Sequence, residues 1–509
     1  MPALARKLRL HDYFALAFGT MIGTGWLVLM DDWLGRGGPA GAALAFAIGG
    51  IILLPVGYVY GQWVRRLPDA AGEAAYTAQV FPPVVSYFTG WMMLLAYFIV
   101  CPWEAVALGK IAAYIFPWLD AVELYRVAGH PVFLSRLVLG ILLTLLLATI
   151  NYRGVRLSAN FQKIMTSMVL LIFLALVGIS AFRGAPVNFR PVFRTTPFLS
   201  ILLALQIVPY FMTGFESVPK YAEEANPDFG QKSYMSAIGL ALGVGAGFYA
   251  FCILAVAFIA PWQSLLGARF ATAIAFEHGL GKHWIVQLIL VMALFGLFQC
   301  FNGNFAASTR LLFAYARRGT IAPRFATIHA VFSTPSVAVI GVTVGTLLGL
   351  LLGDAILVPI TEVGSMASAL GWLAACLSFW LVAKRPALPP SESPVPAASS
   401  VAVSQHSDLA PAASHVPTRQ QFDPDPAVYP VAAPQHPDPD PALLQPPRIG
   451  NLILTALGIL VSFLLLLMKL LPIFPGHFTH AEWLALALWL LLGALLRRRP
   501  SPAQTTLDV

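Results

Sequence analysis

Charged side chains are what this sequence has least of. Only 11% of its 509 residues are Asp, Glu, Lys or Arg, whereas a soluble globular domain has about 25%. Hydrophobic residues make up 58% of the chain. So long a chain with so little charge cannot cover a surface that faces water. A soluble protein is therefore excluded, and the lipid bilayer is the expected surroundings.

Cysteines and catalytic motifs are also scarce. The four cysteines have no CxxC spacing, which argues against a disulfide framework or a metal site. The sequence contains no HExxH, P-loop or nucleophile elbow, so we expect neither an enzyme nor a cofactor. The net charge of +8 comes without a basic stripe interleaved with aromatics, so no nucleic acid partner is expected.

What the chain does have is long apolar runs. Crossing the hydrocarbon core takes about 20 mainly apolar residues, and in lipid such runs form helices that satisfy their own hydrogen bonds. The sequence thus predicts an all-α integral membrane protein with 12 transmembrane helices. The predicted spans are 12–31, 40–63, 84–116, 132–150, 157–182, 197–221, 233–260, 284–316, 335–353, 357–383, 450–471 and 481–496.

The order of these spans suggests a division of the chain. Residues 1–385 form a ten-helix core, and 386–448, rich in Pro and Ala, form a disordered cytoplasmic loop. Two additional helices follow in 449–497, and 498–509 form a cytoplasmic tail. Lys and Arg favour the side of the N-terminus by about two to one, which predicts that both termini are cytoplasmic. Without a retention signal, we expect a plasma membrane location.

Ten core helices divide into two sets of five, and five is odd, so the two sets have opposite orientations. This predicts inverted repeats of about 12–182 and 197–383. In such repeats the first and sixth spans are equivalent. Both are interrupted near the membrane midplane, where a substrate binds.

The first span contains the run FGTMIGTGW, with Gly19, Gly23 and Gly25 where a lipid-facing helix would carry Leu or Ile. Glycines permit an unwound backbone whose free N–H groups suit a carboxylate. The alternative is that small residues let two helices pack closely. This span alone leaves both readings open.

The sixth span decides between them. It reads PYFMTGFESVPKYAEEANP, and Pro209, Gly214 and Pro219 all interrupt it. Glu216 is an ionisable group at membrane depth, which is costly and indicates function. Two broken spans in matching positions indicate the binding site of a transporter.

With ARRGTIAPRF and TPS after the eighth span, these motifs resemble the amino acid–polyamine–organocation superfamily over about residues 10–385. The resemblance implies a LeuT-like fold of five plus five inverted helices with two more at the end. It also implies secondary active transport of amino acids or amines by alternating access.

The resemblance also assigns roles to residues at the two breaks. By this likeness, the first break holds the substrate's carboxylate and the sixth-span break holds its amine through backbone carbonyls. Tyr210 matches an aromatic gate, and its phenol can stack over a cation. Glu216 matches the glutamate of the same motif. The residues of the two breaks are Gly23, Thr24 and Gly25, and Thr213, Gly214 and Phe215.

The third span contains CPWEAVALG, with Glu104 well inside it. By resemblance, this stretch lines the side-chain end of the substrate site. A carboxylate there suits a cationic side chain, or can take up a proton for coupling. The alternative is a structural hydrogen bond to Asn302 or Asn304 of the eighth span.

The eighth span carries too many polar residues for lipid contact, so they must face the bundle or a cavity. We include Asn304 as a substrate contact, and the resemblance makes Ser308 and Thr309 candidates for sodium. Some proton-coupled relatives carry a lysine in the fifth span, expected here near Met168 or Val169, and neither is basic. The mode of coupling therefore stays open. The possibilities are a proton at Glu216 or Glu104, a sodium ion, and exchange of one substrate for another.

Three further acidic residues have two readings each. Glu362 lies nearer the outer end of the tenth span and is either functional or solvated. Glu223 and Glu224 form either an inner gate of ion pairs or a solvated charged face.

The function that these patterns predict is amino acid transport. The alternatives are transport of a polyamine or a small amine such as ethanolamine or putrescine, and a nutrient sensor that binds without transport. An amine without a carboxylate would not need the free amides of the first span.

Overall fold

The computed structural model of this chain describes residues 6–226, 230, 232–384, 449–474 and 477–498. The predicted loop 386–448 and residues 499–509 of the predicted tail lie outside the described residues. The α-helices are α1 (Leu10–Met21), α2 (Gly25–Val28), α3 (Met30–Arg66), α4 (Glu73–Ala78), α5 (Pro83–Phe98), α6 (Val100–Ile115), α7 (Leu134–Arg153), α8 (Val155–Arg183), α9 (Pro197–Leu205), α10 (Val208–Met212), α11 (Lys232–Ile259), α12 (Ala271–Leu280), α13 (Trp284–Arg317), α14 (Ser336–Leu350), α15 (Leu357–Ala383), α16 (Ile449–Leu470) and α17 (His480–Leu496).

Short elements join these helices. Two antiparallel strands, β1 (Glu123–Val127) and β2 (His130–Phe133), form a hairpin between α6 and α7. The 3₁₀ helices are Pro117–Asp120, Pro186–Phe189, Phe215–Glu224, Trp262–Leu265, Pro323–Ala326 and Gly353–Ile356. The hairpin and α12 were not predicted, because a search for runs of about 20 apolar residues passes over short elements.

Among the described residues, eight helices are long and apolar enough to cross a membrane. A ninth span results if Pro197–Leu205 and Val208–Glu224, which meet at a bend of 53°, are counted together. Two shorter apolar helices, α14 and α17, contain 15 and 17 residues. The chain is thus a multi-pass helical membrane protein.

Several helices begin where local signals place them. Thr196 accepts a hydrogen bond from the Leu199 N–H at the start of α9, and Pro197 occupies the first position of this helix. Thr479 and Glu482 form a capping box at the start of α17. These signals fix the ends of helices whose interiors carry little information beyond their hydrophobicity.

The predicted loop between the first two spans is a single kink. The helix continues from Met30 to Gly38, which has φ 64° and ψ −179°, and resumes directly afterwards. A Cβ atom on Gly38 would lie 2.7 Å from the backbone N of Arg194. Glycine is therefore required both by the positive φ and by the close approach of another segment.

Small residues bring the central helices together. A Cβ on Gly41 of α3 would lie 2.8 Å from the Ser200 Cβ of α9, and a Cβ on Gly50 would lie 2.4 Å from that of Ala246 on α11. Apolar side chains gain little by leaving lipid, so such close backbone packing is a main source of helix association.

The last two helices are joined to the core by specific contacts. Trp91 of α5 and Trp489 of α17 stack with ring centroids 4.7 Å apart. Each indole N–H donates to the other residue's carbonyl oxygen, at 2.9 and 3.1 Å. Lys469 of α16 pairs with Glu362 of α15. Glu362 is thus held by an ion pair, and the solvated reading of this residue is wrong.

Replacing Gly41 by Ala is expected to destabilise the fold. The added methyl group overpacks the contact with Ser200, which costs about 1–3 kcal/mol. The matched control is Gly178→Ala in α8, where a Cβ meets nothing within 4 Å, and Ala in place of a helical Gly is neutral or stabilising. Thermal denaturation in detergent measures both. Equal midpoints for the two variants would contradict the packing argument.

Candidate substrate site

The first interruption lies between α1 and α2. Helix α1 ends at Met21, Ile22 is extended with φ −100° and ψ 95°, and α2 begins at Gly25. A Cβ on Gly23 would lie 2.0 Å from Oε1 of Glu104, and one on Gly25 would lie 2.4 Å from the ring of Phe211. These two positions need glycine because the side chains of Glu104 and Phe211 lie so close to the backbone.

The second interruption lies between α10 and the 3₁₀ helix Phe215–Glu224. Thr213 is extended, and Gly214 has φ 140°, which only glycine adopts readily. A Cβ on Gly214 would lie 2.8 Å from the backbone N of Met21. The two breaks therefore touch each other, as the inverted-repeat argument expects of a binding site.

A cavity lies between the two breaks. Six of the nine predicted substrate contacts line it. The lining residues are Met21, Gly23, Gly25, Val100, Trp103, Glu104, Tyr210, Phe211, Thr213, Cys300 and Asn304. Sequence reasoning missed Met21, Val100, Trp103, Phe211 and Cys300, because an apolar residue or a lone cysteine carries no signal of its own in a membrane span.

Glu104 is the acidic residue of the cavity wall. It is 2% exposed, and its carboxylate accepts hydrogen bonds from the Thr24 hydroxyl at 3.0 Å and the Thr24 N–H at 3.4 Å. The suggested structural bond to Asn302 or Asn304 is not formed. Its partners are the backbone N–H and the side-chain hydroxyl of Thr24, a residue of the first break.

Asn304 presents an acceptor at the same cavity. Its amide nitrogen donates to the carbonyl oxygens of Thr20, at 3.1 Å, and of Cys300, at 2.8 Å. Its Oδ1 is buried and has no hydrogen-bond partner among the described residues. This oxygen can accept a hydrogen bond from a ligand donor.

The sequence of the chain decides its family. A sequence model described as "Amino acid permease" matches residues 8–495. The chain belongs to the amino acid permease family. The resemblance to the amino acid–polyamine–organocation superfamily is thereby confirmed, and the protein is a secondary transporter of amino acids and not an enzyme.

Three relatives from Bacillus subtilis show how similar the sequence is to those of known transporters. A methylthioribose transporter is 26% identical over 341 residues, covering 65% of this chain and 72% of the relative. A branched-chain amino acid permease is 23% identical over 345 residues, covering 66% and 72%. An aspartate–proton symporter is 26% identical over 347 residues, covering 65% and 64%.

The remaining predicted residues of the permease lie near the cavity but outside its lining. Thr24 contacts Glu104, and Gly214 forms the second break. Phe215 packs against the rings of Tyr60 and Trp372. The carboxylate of Glu216 accepts from the Gly214 N–H at 3.0 Å.

The two candidate sodium ligands use their hydroxyls within α13. Ser308 donates to the carbonyl oxygen of Asn304 at 2.8 Å, and Thr309 donates to that of Ala306 at 2.7 Å. Their part in coupling stays a prediction.

Side-chain amides satisfy carbonyl groups of the first span. The amide nitrogen of Gln299 on α13 donates to the Ile22 carbonyl oxygen at 2.8 Å, and that of Gln162 on α8 donates to Ala15 at 3.4 Å. Thr166 on α8 bonds to Gln299 Oε1 at 2.9 Å. A signal for this network was present, since Ser158, Gln162 and Thr166 are spaced by four residues along one helix face.

The fifth span contributes one further charge. Lys163 forms an ion pair with Asp12 of α1 at 3.0 Å, and a third of its side chain remains exposed. The ammonium of Lys163 therefore has an acidic partner on the first helix.

Ion pairs close one end of the permease around the 3₁₀ helix Phe215–Glu224. Glu224 pairs with Arg310 at 2.9 Å, with both side chains 1% exposed, and Glu223 pairs with Arg317. The reading of these two glutamates as a solvated face is wrong.

Two more pairs reinforce this end. Asp69, in the connection after α3, contacts Arg318 at 2.6 Å. Burial by itself would raise the pKa of Asp69, but Arg318 and Arg317 outweigh it and hold the pKa below its usual value. Lys220 and Glu73 form a fully buried pair at 2.5 Å.

Breaking the Arg310–Glu224 pair is expected to destabilise the permease strongly. Arg310→Met leaves a buried carboxylate without a partner, which costs about 3–5 kcal/mol. The double variant Arg310→Met, Glu224→Gln removes the orphaned charge and is expected to recover much of this loss. Thermal denaturation in detergent measures the series.

The matched control is Arg126→Met, which breaks an exposed pair with Glu123 on the hairpin and is expected to leave the midpoint unchanged. A midpoint of Arg310→Met equal to that of Arg126→Met would contradict the prediction.

Proposed function

We propose that this permease carries an amino acid by alternating access and binds it in the cavity between the two backbone breaks. The observation that carries the proposal is the contact of Gly214 with Met21, which brings both interruptions to one cavity. Unwound backbone at membrane depth is tolerated where it is buried in protein or lines a cavity. Two such segments facing one cavity favour a ligand with two oppositely charged groups.

The amino acid backbone fits the two sides of the cavity. The N–H groups of the first break bind the carboxylate, and the carbonyl groups of the second break, with Asn304 Oδ1, bind the ammonium. Tyr210 covers the bound substrate as a gate. The residues given these roles are Gly23, Thr24 and Gly25 for the carboxylate, and Thr213, Gly214 and Phe215 for the ammonium.

The cavity wall favours neutral or cationic amino acids. Val100, Trp103 and Phe211 are apolar, and Glu104 is acidic. An acidic side chain would find no compensating cation among the residues that line the cavity. Transport of an amine is the second candidate, since Glu104 itself already occupies the N–H and the hydroxyl of Thr24 that a substrate's carboxylate would need.

We extend the proposal to the whole architecture. The permease has 12 spans, of which the first ten form inverted repeats and the last two are α16 and α17, with both termini cytoplasmic in a plasma membrane. The first span then runs from α1 to the kink at Gly38, and the short helices α14 and α17 count as spans. The ion pairs of Glu223 and Glu224 form the inner gate, and they separate when the cavity opens to the cytoplasm.

The coupling that we favour is to protons or to exchange. Sodium would need free oxygen ligands from the first span, whereas Gln299 and Gln162 already donate to the carbonyl groups of Ile22 and Ala15. Glu104 and Glu216 are the residues available to carry a proton.

The test is uptake by the purified permease in liposomes. A panel of labelled amino acids and amines is offered with a proton gradient, a sodium gradient or internal amino acid. We expect saturable uptake of a neutral or cationic amino acid. Uptake of amines alone would favour the second candidate, and binding without uptake would indicate a sensor.

A variant pair locates the site. Tyr210→Ala is expected to raise KM about tenfold or more, because stacking on the substrate is lost. The control Tyr125→Ala changes an aromatic residue on the hairpin, outside the cavity, and is expected to leave KM unchanged. Equal KM values for the two variants would remove Tyr210 from the site.

A further inference from the structure

A carboxylate already occupies the position proposed for the substrate's carboxylate. Glu104 accepts hydrogen bonds from both the N–H and the hydroxyl of Thr24, at 3.4 and 3.0 Å. Its Oε1 approaches Gly23 so closely that a Cβ there would lie 2.0 Å away. Gly23 thus leaves room for a carboxylate, and in this structure the carboxylate is that of Glu104.

The surroundings of Glu104 do not compensate for a second negative charge. In the described part of the chain, no Lys, Arg or His forms an ion pair with it, and the titratable groups that face it are Cys101 on α6, Cys300 on α13, Tyr210 on α10 and Tyr249 on α11. All four are neutral when protonated. Two ionised carboxylates at one set of donors repel each other, and one of them must then be neutral.

We propose that Glu104 is a built-in competitor for the substrate's carboxylate, so that an amino acid binds only when Glu104 has taken up a proton from water. This inference rests on the proposed function. The protonated carboxyl group releases the Thr24 donors to the substrate, and the incoming carboxylate replaces one negative charge with another. Substrate binding thereby brings one proton into the cavity, which an acid in the bulk solution gives up as the carboxyl O–H bond forms.

The buried acceptor on Asn304 supports this exchange. Its Oδ1 lies on the same cavity wall and has no partner among the described residues. A neutral Glu104 has gained an O–H group that needs an acceptor, and the substrate's ammonium needs one as well. Asn304 Oδ1 is thus an acceptor at the cavity that the hydrogen bonds among the described residues, including those from Thr24 to Glu104, leave unused.

The inference predicts a specific dependence of affinity on pH. Above the pKa of Glu104, the affinity for an amino acid falls about tenfold per pH unit, because the ionised side chain retains the Thr24 donors. Glu104→Gln mimics the protonated form, so its affinity is high and independent of pH. Glu104→Asp keeps a titratable group and is expected to keep the pH dependence.

The test measures binding to the full-length permease in detergent between pH 5.5 and 8.5. The probe is the amino acid with the highest uptake in the liposome panel, beside the amine that lacks its carboxylate, such as isoamylamine for leucine or agmatine for arginine. Calorimetry in two buffers of different ionisation enthalpy counts the protons taken up. We expect one proton per amino acid in the unmodified permease and none in Glu104→Gln.

The matched control is Glu482→Gln, another buried glutamate, which caps α17 and does not line the cavity. It is expected to keep both the pH slope and the proton uptake. The inference is overturned if Glu104→Gln retains the pH slope. A second result also overturns it: Glu104→Gln no longer binds the amine, and the unmodified permease binds the amino acid with the same affinity at every pH. Glu104 would then be the partner of a cation.

These failures differ from a failure of the proposed function. If the unmodified permease takes up no amino acid, the function itself is wrong. If the permease takes up an amino acid, and the Glu104→Gln and Glu482→Gln variants show the same pH dependence of affinity, the proposed function stands. Only the role of Glu104 is then wrong.

Discussion

A backbone that unwinds inside a membrane must find hydrogen-bond partners within the protein, because lipid offers none. In this permease, side chains meet that requirement at the first break. Tyr249 donates to the Met21 carbonyl oxygen at 2.8 Å, Gln299 donates to that of Ile22, and Cys300 and Asn304 donate to that of Thr20. The polar residues inside the bundle are placed by this need.

The same requirement explains the chemistry of the cavity. N–H groups at the breaks need acceptors, and in this structure two carboxylates supply them: Glu104 for Thr24 and Glu216 for Gly214. Among the groups of an amino acid, the carboxylate is an acceptor of the same kind as these side chains, whereas the ammonium is a donor and needs carbonyl oxygens instead.

Buried ion pairs gather along the 3₁₀ helix Phe215–Glu224, whose Lys220 and Glu224 pair with α4 and α13. This segment follows directly after the second break. Along the chain, Gly214 thus lies between Thr213, which lines the cavity, and the ion-paired segment.

Local chemistry in the sequence determined the membrane class, most of the helices and the position of both breaks. Glycine and proline disturb a helix wherever they stand, and a run of apolar residues needs lipid whatever surrounds it. Glu104 and Asn304 were also selected from the sequence, because polar groups are conspicuous in a membrane span, and Tyr210 was selected through the family resemblance. Only the tertiary structure decided which groups meet. Glu104 bonds to Thr24, 80 residues away, and Lys469 pairs with Glu362, 107 residues away. Such partners depend on how helices pack, and hydrophobicity along the chain, which is nearly uniform in these spans, does not specify that packing.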